Sequence, residues 1–424
     1  MKGMRKLSIT ATAMVAAAVM ALAGCGSSGT ADSAASGSSG SAKSDTFMAA
    51  GLFPLTGSMA YLGPANIATM KLAQKDINAA GGVLGKDIEI TSADTSDADH
   101  ADQNTSSAQS VLAKNPSVVV GPPSSSVVKN TYKQVTSAKV PMISSGATST
   151  TFSGLSDYFF RTIPPDTVQG AVLGQIIAQD GVKNLAIAVF NDEYGTGLRD
   201  TIVKTASAAG VDIIYGEKDT FDPTETNFSS IATAIKASNP DATLVIAFDQ
   251  TKPLLKALAS AGVNTKKLYF VDGNTSDYSS ELDAGLLEGS KGTIPGVNPS
   301  DDFVKRLEST GVDLKNTTTY GAETYDGIIL AALAAQKGGS ADGKTIQANM
   351  AAVFGSTKGK ECDSYKACLA LLKDGKEIQY KGQTSIGAFN DAHDPSSASI
   401  GVYKYDADNK PVFDHSQEGS VPKA

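Results

Sequence analysis

Two hydroxyl-rich segments in the first half of the chain could bind an anionic group. Gly121–Ser126 follows the predicted strand Ser117–Val120 and opens a helix, and Ser144–Thr148 follows the predicted strand Val140–Ile143. Hydroxyls and free N–H groups at a helix N-terminus can hold a carboxylate or a phosphate. A serine there can equally be a simple helix cap, because serine is preferred at that position. Two such segments after neighbouring strands favour a binding site more than either segment alone.

Two later segments also follow predicted strands and carry acidic and aromatic side chains. Asn191–Gly195 contains Tyr194, and Asp272 comes directly after the predicted strand Lys267–Val271. A carboxylate at a strand end could accept hydrogen bonds from an ammonium group. The spacing leaves open the alternative that Asp272 only caps a turn with Gly273.

The motifs of the chain do not favour catalysis. The sequence contains neither a G-x-S-x-G elbow nor an H-E-x-x-H helix, and no glycine-rich phosphate loop. Its three histidines, His100, His393 and His415, have no metal-ligand spacing. We therefore expect no enzyme activity, no cofactor and no metal. A hydrolase that uses a serine of 124–126 with His393 is the least favoured alternative.

Short apolar runs alternate with helical patterns from residue 46 onward, and this order predicts an α/β fold with parallel sheets. Such sheets bind ligands beyond the carboxyl ends of their strands, where the segments above lie. One run of units ends near Arg161–Asp166 and another begins at Leu185, so we expect two lobes with an extended crossover at Pro164-Pro165. The predicted strands are Phe47–Phe53, Ile88–Ala93, Ser117–Val120, Val140–Ser144, Leu185–Phe190, Asp212–Gly216, Ala242–Phe248 and Lys267–Val271, with a final hairpin of Ser399–Tyr405 and Lys410–Asp414.

The N-terminus has the pattern of an export signal. A basic start, Met1–Lys6, precedes an apolar run, Leu7–Leu22, that is shorter than the roughly 20 residues of a membrane span. The run closes with Leu-Ala-Gly before Cys25, which resembles the lipobox of bacterial lipoproteins; an ordinary secretory peptide is the alternative. We expect residues 1–24 to be a signal peptide, Cys25 to carry a lipid, and the Ser/Gly-rich residues 25–45 to be a flexible linker at the outer face of the cell membrane.

Charge and cysteine content narrow the possible partners. The formal net charge of −8 becomes about −11 once the three basic residues of the signal peptide are removed, which argues against nucleic acid. Cys362 and Cys368 stand close together in a polar stretch, and outside the cytoplasm we expect a disulfide between them. A metal pair is the alternative, disfavoured because no histidine lies nearby.

A series of short motifs runs through the body of the chain: Phe53–Gly57, Asp76–Gly82, Gly121–Ser126, Val140–Ser144, Gly146–Thr148, Phe160–Thr162, Gln169–Gly170, Tyr194–Gly195 and Tyr325–Asp326. Together they resemble the leucine/isoleucine/valine-binding protein family, the solute receptors of branched-chain amino acid ABC importers. The resemblance implies a periplasmic binding protein of type I, in which two Rossmann-like lobes with parallel sheets are joined by three crossover strands and close on the ligand. We expect lobe 1 to be 46–165 with 293–387, and lobe 2 to be 166–292 with 388–424.

The resemblance also implies a site for the two charged ends of an amino acid. Ser125, with Ser124 beside it, should bind the α-carboxylate through its hydroxyl and backbone N–H. Thr148 should donate its N–H to the carboxylate and use its hydroxyl for the ammonium. The carbonyl of Gly146 and the carboxylate of Asp272, where the family has a glutamate, should accept from the ammonium.

The rest of the implied site concerns the ligand's side chain. Tyr194 should cover the ligand and Phe248 and Tyr320 should line the side-chain pocket, while a tyrosine of the family falls on Leu62 here. We therefore expect a monomeric receptor for an amino acid, branched-chain or otherwise hydrophobic, that delivers it to ABC permease subunits. The alternative is the same fold binding an amide, urea or an aromatic acid; Asp272 distinguishes the two, since those ligands lack an ammonium.

Overall fold

The structure is a computed structural model that describes residues 46–296, 298–315 and 317–420. The predicted signal peptide, the lipid site at Cys25 and the linker 25–45 lie outside the described residues. Within the described part of the chain, no helix is both long enough and apolar enough to cross a membrane.

The first part of the chain forms a five-stranded sheet with helices between its strands. The strands are Met48–Phe53 (β1), Glu89–Asp94 (β2), Val118–Val120 (β3), Met142–Ser144 (β4) and Phe159–Arg161 (β5), and the helices are Gly63–Ala79 (α1), Ala101–Leu112 (α2) and Ser125–Ser137 (α3). All pairings are parallel in the order β2-β1-β3-β4-β5, so the carboxyl ends lie at one edge. The strands β3 and β4 are buried throughout, as expected for strands covered on both faces.

A second run of alternating elements follows β5. Its helices are Asp166–Gln179 (α4), Glu193–Ala208 (α5), Ser229–Ser238 (α6) and Thr251–Ser260 (α7), and its strands are Asn184–Val189 (β6), Asp212–Tyr215 (β7), Ala242–Ile246 (β8), Leu268–Phe270 (β9) and Lys291–Pro295 (β10). These five strands pair in parallel. Their central member β8 is wholly buried, which explains its mostly apolar sequence Ala-Thr-Leu-Val-Ile.

The chain then returns to the first sheet with Asp301–Glu308 (α8), Gly321–Gly338 (α9), Gly343–Ala351 (α10), Lys360–Cys362 (β11), Tyr365–Lys373 (α11) and Ile378–Tyr380 (β12). Helix α9 is buried from Gly321 to Ala335 and forms the centre of the core beside the first sheet. A disulfide joins Cys362 and Cys368, with an S–S distance of 2.10 Å. Short helical turns lie at Ala60–Leu62, Thr150–Phe152, Thr265–Lys267 and Ala352–Ser356.

A long hairpin, Ser397–Tyr405 (β13) and Pro411–Ser420 (β14), completes a seven-stranded sheet in the order β14-β13-β10-β9-β8-β6-β7. Here lobe 1 denotes the five-stranded sheet with its helices, and lobe 2 the seven-stranded sheet with its helices. The chain passes between the sheets three times: after β5, after β10 and after β12. The predicted α/β class with two parallel-sheet lobes is confirmed. The lobe bounds stay a prediction; the expected division between 292 and 293 falls inside β10, which pairs along its length with β13.

Candidate functional site

The two hydroxyl-rich segments meet at the carboxyl edge of the first sheet. Ser124 caps helix α3, because its hydroxyl accepts from the N–H of Val127 at 3.4 Å. Of Ser124 and Ser125, Ser124 is therefore the helix cap. Ser125 begins the helix, and its hydroxyl accepts from the N–H of Ser149 at 3.2 Å. Ser144 donates to the carbonyl of Pro122 at 2.6 Å. These bonds hold the helix N-terminus and the second loop together as one polar surface.

A buried arginine fixes the second loop from beneath. Arg161 at the end of β5 is fully buried and donates to the carbonyls of Ser149 at 2.8 Å and Ala147 at 3.3 Å. Its charge is balanced by Asp394, whose carboxylate lies 2.6 Å from the guanidinium, although burial still lowers the arginine's pKa. Because Asp394 lies between β12 and β13, the same ion pair ties this loop to a connection between the lobes.

Asp272 follows β9 in lobe 2 and is buried with both oxygens occupied. Tyr194, on the first turn of α5, donates its hydroxyl to one oxygen at 2.6 Å, and Tyr320 donates to the other. Burial raises the pKa of Asp272, while the two tyrosine hydroxyls and the nearby amide of Gln169 act in the opposite direction. Asp272 is thus a hydrogen-bonded acid and not a solvent-exposed turn residue.

Tyr320 connects Asp272 to the first lobe. Its ring packs on Gly146, where a Cβ atom would lie only 2.7 Å from the ring, so a larger residue at 146 would displace the tyrosine. Its backbone has a φ of 60°, immediately before α9 begins. Phe248 stacks on Tyr194 with ring centroids 5.6 Å apart. The structure therefore brings Gly146, Tyr194, Phe248, Asp272 and Tyr320 into one aromatic and acidic cluster.

Asp166 belongs to the same cluster and was missed by the sequence analysis. It is the first residue of α4; its Oδ2 accepts from the hydroxyl of Thr148 at 3.0 Å, and its N–H donates to the carbonyl of Thr148 at 2.8 Å. Its Oδ1 is buried without a partner among the described residues. Burial first, and then the charge of Asp272, raise the pKa of Asp166 well above its usual value. The sequence Pro-Pro-Asp at 164–166 predicts the start of a helix, but it does not indicate that the side chain of Asp166 lies in the cleft.

Several contacts join the two lobes across the cleft. The hydroxyl of Ser126 donates to Asp192 at 2.6 Å, and Lys129 pairs with Glu193 at 2.6 Å. On the other side, the hydroxyl of Tyr61 donates to the carbonyl of Gly273 at 3.1 Å. The lobes are therefore in a closed arrangement.

A cavity of about 600 Å³ lies beside the acidic cluster and is lined by Tyr61, Phe248 and Tyr320. Leu62 is fully buried in the core instead, so the tyrosine that faces the cleft at this point is Tyr61, one position earlier than expected. A second cavity of about 450 Å³ adjoins Ser126 and Asp192. Neither cavity is lined by Ser125, Gly146, Thr148, Tyr194 or Asp272. No cluster of three or more His, Cys, Asp or Glu side chains suited to a metal occurs in the described ranges.

Two α/β lobes that meet over a polar cleft define a hinged solute-binding protein. Residues 48–357 match the model of the periplasmic binding protein family, and the chain belongs to that family. It is 26% identical to the Leu/Ile/Val-binding protein BraC3 of Rhizobium johnstonii, over 84% of this chain and 90% of the relative. It is 27% identical to the leucine-, isoleucine-, valine-, threonine- and alanine-binding protein of Pseudomonas aeruginosa, over 72% and 81%.

Solved structures share the fold at low identity. The branched-chain amino acid transporter substrate-binding protein LivJ of Streptococcus pneumoniae, in complex with isoleucine, superimposes with a TM-score of 0.69 and 21% identity, over 88% of this chain and 99% of that chain. A solute-binding protein of an ABC transporter from R. palustris, in complex with 4-hydroxybenzoate, gives a TM-score of 0.71 and 18% identity, over 89% and 98%. These likenesses support the fold class predicted from the sequence.

Proposed function

We propose that the protein is an extracytoplasmic receptor that binds an α-amino acid between its lobes and delivers it to an ABC importer. The observation that carries the proposal is the pair of buried carboxylates, Asp166 and Asp272, next to the hydroxyl- and N–H-rich loops of lobe 1. An α-amino acid presents a cation and an anion on one carbon atom. Burying both charges is favourable only if each meets a partner of opposite character.

The carboxylate of the ligand would bind at the first turn of α3. The hydroxyl and N–H of Ser125 and the N–H of Thr148 would donate there, and the helix N-terminus favours negative charge. The N–H of Ser149 is already bonded to the hydroxyl of Ser125 and holds it in place. Because Arg161 holds the carbonyls of this loop from beneath, its donor groups are oriented before the ligand arrives.

The ammonium of the ligand would bind to Asp272 and to the unpartnered oxygen of Asp166. An ammonium has three donors and no acceptor, so it suits a surface of carboxylate oxygens and the carbonyl of Gly146. Thr148 would serve both ends, since its hydroxyl already contacts Asp166. A buried acceptor without a donor is costly, which is a physical reason for a ligand with donors at this point.

The residues that would bind the ligand are divided between the two lobes, and this division explains why the lobes would close on it. Ser125 and Thr148 lie on lobe 1, and Tyr194 and Asp272 lie on lobe 2, so only the closed form surrounds the ligand. A ligand that binds the closed form better shifts the hinge equilibrium towards it. The permease subunits would then recognise the closed receptor. A monomer tethered by a lipid on Cys25 through the linker 25–45 completes the proposal.

The ligand's side chain would lie against Phe248 and Tyr320, with Tyr61 nearby. These rings favour a hydrophobic side chain, and the names of the relatives make branched-chain amino acids the first ligands to examine. The protein would act without catalysis, cofactor or metal.

Isothermal titration calorimetry on the full-length protein tests the proposal, with the twenty amino acids, acetamide, urea and 4-hydroxybenzoate as ligands. We expect binding of one or more hydrophobic amino acids, and loss of that binding in both Ser125→Ala and Asp272→Ala. If Ser125→Ala alone abolishes binding of the preferred ligand, that ligand lacks an ammonium and the alternative function holds. If no amino acid produces heat, the proposal is wrong.

A further inference from the structure

The cavity beside the acidic cluster contains a buried acid that the proposed zwitterion site does not use. Glu323, on the first turn of α9, lines the cavity and is only 6% exposed. Among the described residues its carboxyl receives a hydrogen bond from its own backbone N–H and from no other residue. Burial raises its pKa to about 8, and Asp326 adds to the shift. A buried carboxyl that faces a cavity and accepts only from its own N–H is suited to a ligand group that donates hydrogen bonds.

The cavity connects this acid with the predicted side-chain pocket. Tyr320, three residues before Glu323, lines the cavity together with Phe248 and Tyr61. The cavity has a volume of about 600 Å³, within the range of roughly 300–1,000 Å³ that holds drug-sized ligands. A branched-chain side chain against the rings would leave the region around Glu323 unfilled.

The other charged groups of the cavity do not neutralise Glu323. Lys252 is paired with Glu281 at 3.0 Å and with Asp249 at 3.6 Å. Lys315 is paired with Asp313 at 2.8 Å. Lys410 also lines the cavity but is exposed to solvent, where its charge is screened.

The neighbouring phenol of Tyr403 supplies no positive charge to Glu323 either. Burial, and then Glu323, raise the pKa of Tyr403 to about 12, so that this residue stays neutral. Among the described residues no cation forms an ion pair with Glu323, so a cationic ligand group would supply one.

We propose that Glu323 is a specificity residue that binds a cationic group, ammonium or guanidinium, at the end of the ligand's side chain. The proposal rests on the proposed amino acid function and extends its ligand class to amino acids with long basic side chains. The α-ammonium and α-carboxylate would occupy the zwitterion site, the methylene groups would lie against Phe248 and Tyr320, and the terminal cation would meet Glu323.

The test compares L-lysine and L-arginine with L-norleucine, which matches lysine in chain length but lacks the terminal ammonium. Calorimetry on the full-length protein should show a dissociation constant at least about tenfold lower for lysine or arginine than for norleucine, as expected for a hydrogen bond to a charged group. In Glu323→Gln, which keeps the shape of the side chain, the preference should fall to within about threefold. Glu281→Gln serves as the matched control, because Glu281 lines the same cavity but is exposed and forms an ion pair with Lys252. This variant should keep the preference for lysine or arginine over norleucine.

The outcomes separate this inference from the proposed function. If leucine and norleucine bind and neither basic amino acid binds more tightly, the inference is wrong and the amino acid function stands. A preference that persists in Glu323→Gln also overturns the inference, because the cation is then recognised elsewhere. If no amino acid binds at all, both proposals fail.

Discussion

Two regions of this molecule contain buried carboxyl groups, and these groups differ in how many hydrogen-bond partners the chain gives them. In lobe 1, Asp326 accepts hydrogen bonds from the hydroxyl of Tyr380, from the N–H groups of Gln383 and Thr384, and from the hydroxyl of Thr384, at 2.7 to 3.0 Å. In the cleft, Asp166 has one oxygen without a partner, and Glu323 accepts only from its own N–H. The first region is complete by itself, whereas the second needs donors that the chain does not provide.

Under the proposed function, the difference separates structural acids from acids that would bind the ligand. Asp326 lies on the same helix as Glu323, three residues further on, and both are buried. Burial raises the pKa of both, but in Asp326 four hydrogen bonds act against the shift. We infer that Asp326 holds the segment 380–384 to α9, whereas the cleft acids are kept for ligand.

The largest expected effect is the loss of stability in Asp326→Asn. The amide turns its NH2 group towards other donors and leaves one N–H and one hydroxyl of this cluster without an acceptor, so the free energy of unfolding should fall by about 3 kcal/mol. Urea unfolding followed by circular dichroism measures this change. The affinity for amino acids should stay within about twofold. A variant of unchanged stability would remove the distinction between the two regions.

Asp166→Asn should weaken ligand binding without lowering the stability, which is the opposite of the result expected for Asp326→Asn. Loss of a charged acceptor should raise the dissociation constant of the amino acid by about 10- to 100-fold, the equivalent of about 1.5–3 kcal/mol. The free energy of unfolding at pH 7 should not decrease, because a buried carboxyl with one unpaired oxygen is removed. Calorimetry and urea unfolding of the same samples provide both values. Reduced stability with normal affinity would make Asp166 a structural acid.

The stability of the protein should also depend on pH through Glu323. Its pKa is raised from 4.5 to about 8 by folding, so the folded state holds a proton that the unfolded state releases above 4.5. Stability is therefore lost as pH rises through this window, at a rate that approaches about 1.4 kcal/mol per pH unit. Glu323→Gln should remove this loss, so its advantage over the wild type should grow between pH 5 and pH 8 in urea unfolding. An advantage that is constant with pH would show that Glu323 does not titrate in this range.

The smallest effect is expected at the edge of the cleft. Lys129→Ala removes the ion pair with Glu193 that joins the lobes, and since Lys129 is exposed the affinity should weaken by no more than about fivefold. The weakening should be smaller still at high salt. Lys133→Ala on the same helix is the matched control, since Lys133 is exposed and makes no contact with lobe 2 among the described residues. A loss of binding comparable to that of Asp166→Asn would move the centre of the site to this edge.

The sequence predicted the strands and helices whose pattern is set by residues close together in the chain. The alternation of buried strands and amphipathic helices predicted the parallel strands of both sheets, and strands such as Ala242–Phe248 were found within two residues of their predicted ends. The final hairpin was expected to end at Asp414 but extends to Ser420, because β14 pairs with β13 over its whole length. Pairing of this kind depends on a partner strand, so polar residues such as His415–Glu418 gave no signal in the sequence.

The cleft was harder to predict because its residues are distant along the chain. Asp166 and Asp272 are 106 positions apart, and only the packing of α4 beside the second sheet brings them together. The exchange of Leu62 for Tyr61 has a different, local cause, since a short helical turn at Ala60–Leu62 decides which of two adjacent side chains faces the cleft. Glu323 reads as an ordinary helical glutamate until the cavity beside it is known.

The most direct measurement compares L-leucine with 4-methylpentanoate, which has the same carbon chain and carboxylate but no ammonium. Calorimetry on the full-length protein should give a dissociation constant for leucine at least about 100-fold lower, because without an ammonium one oxygen of Asp166 stays unpartnered and neither Asp166 nor Asp272 meets a cation. Equal affinity for the two compounds would show that these acids do not bind an ammonium, and would contradict the account of the cleft.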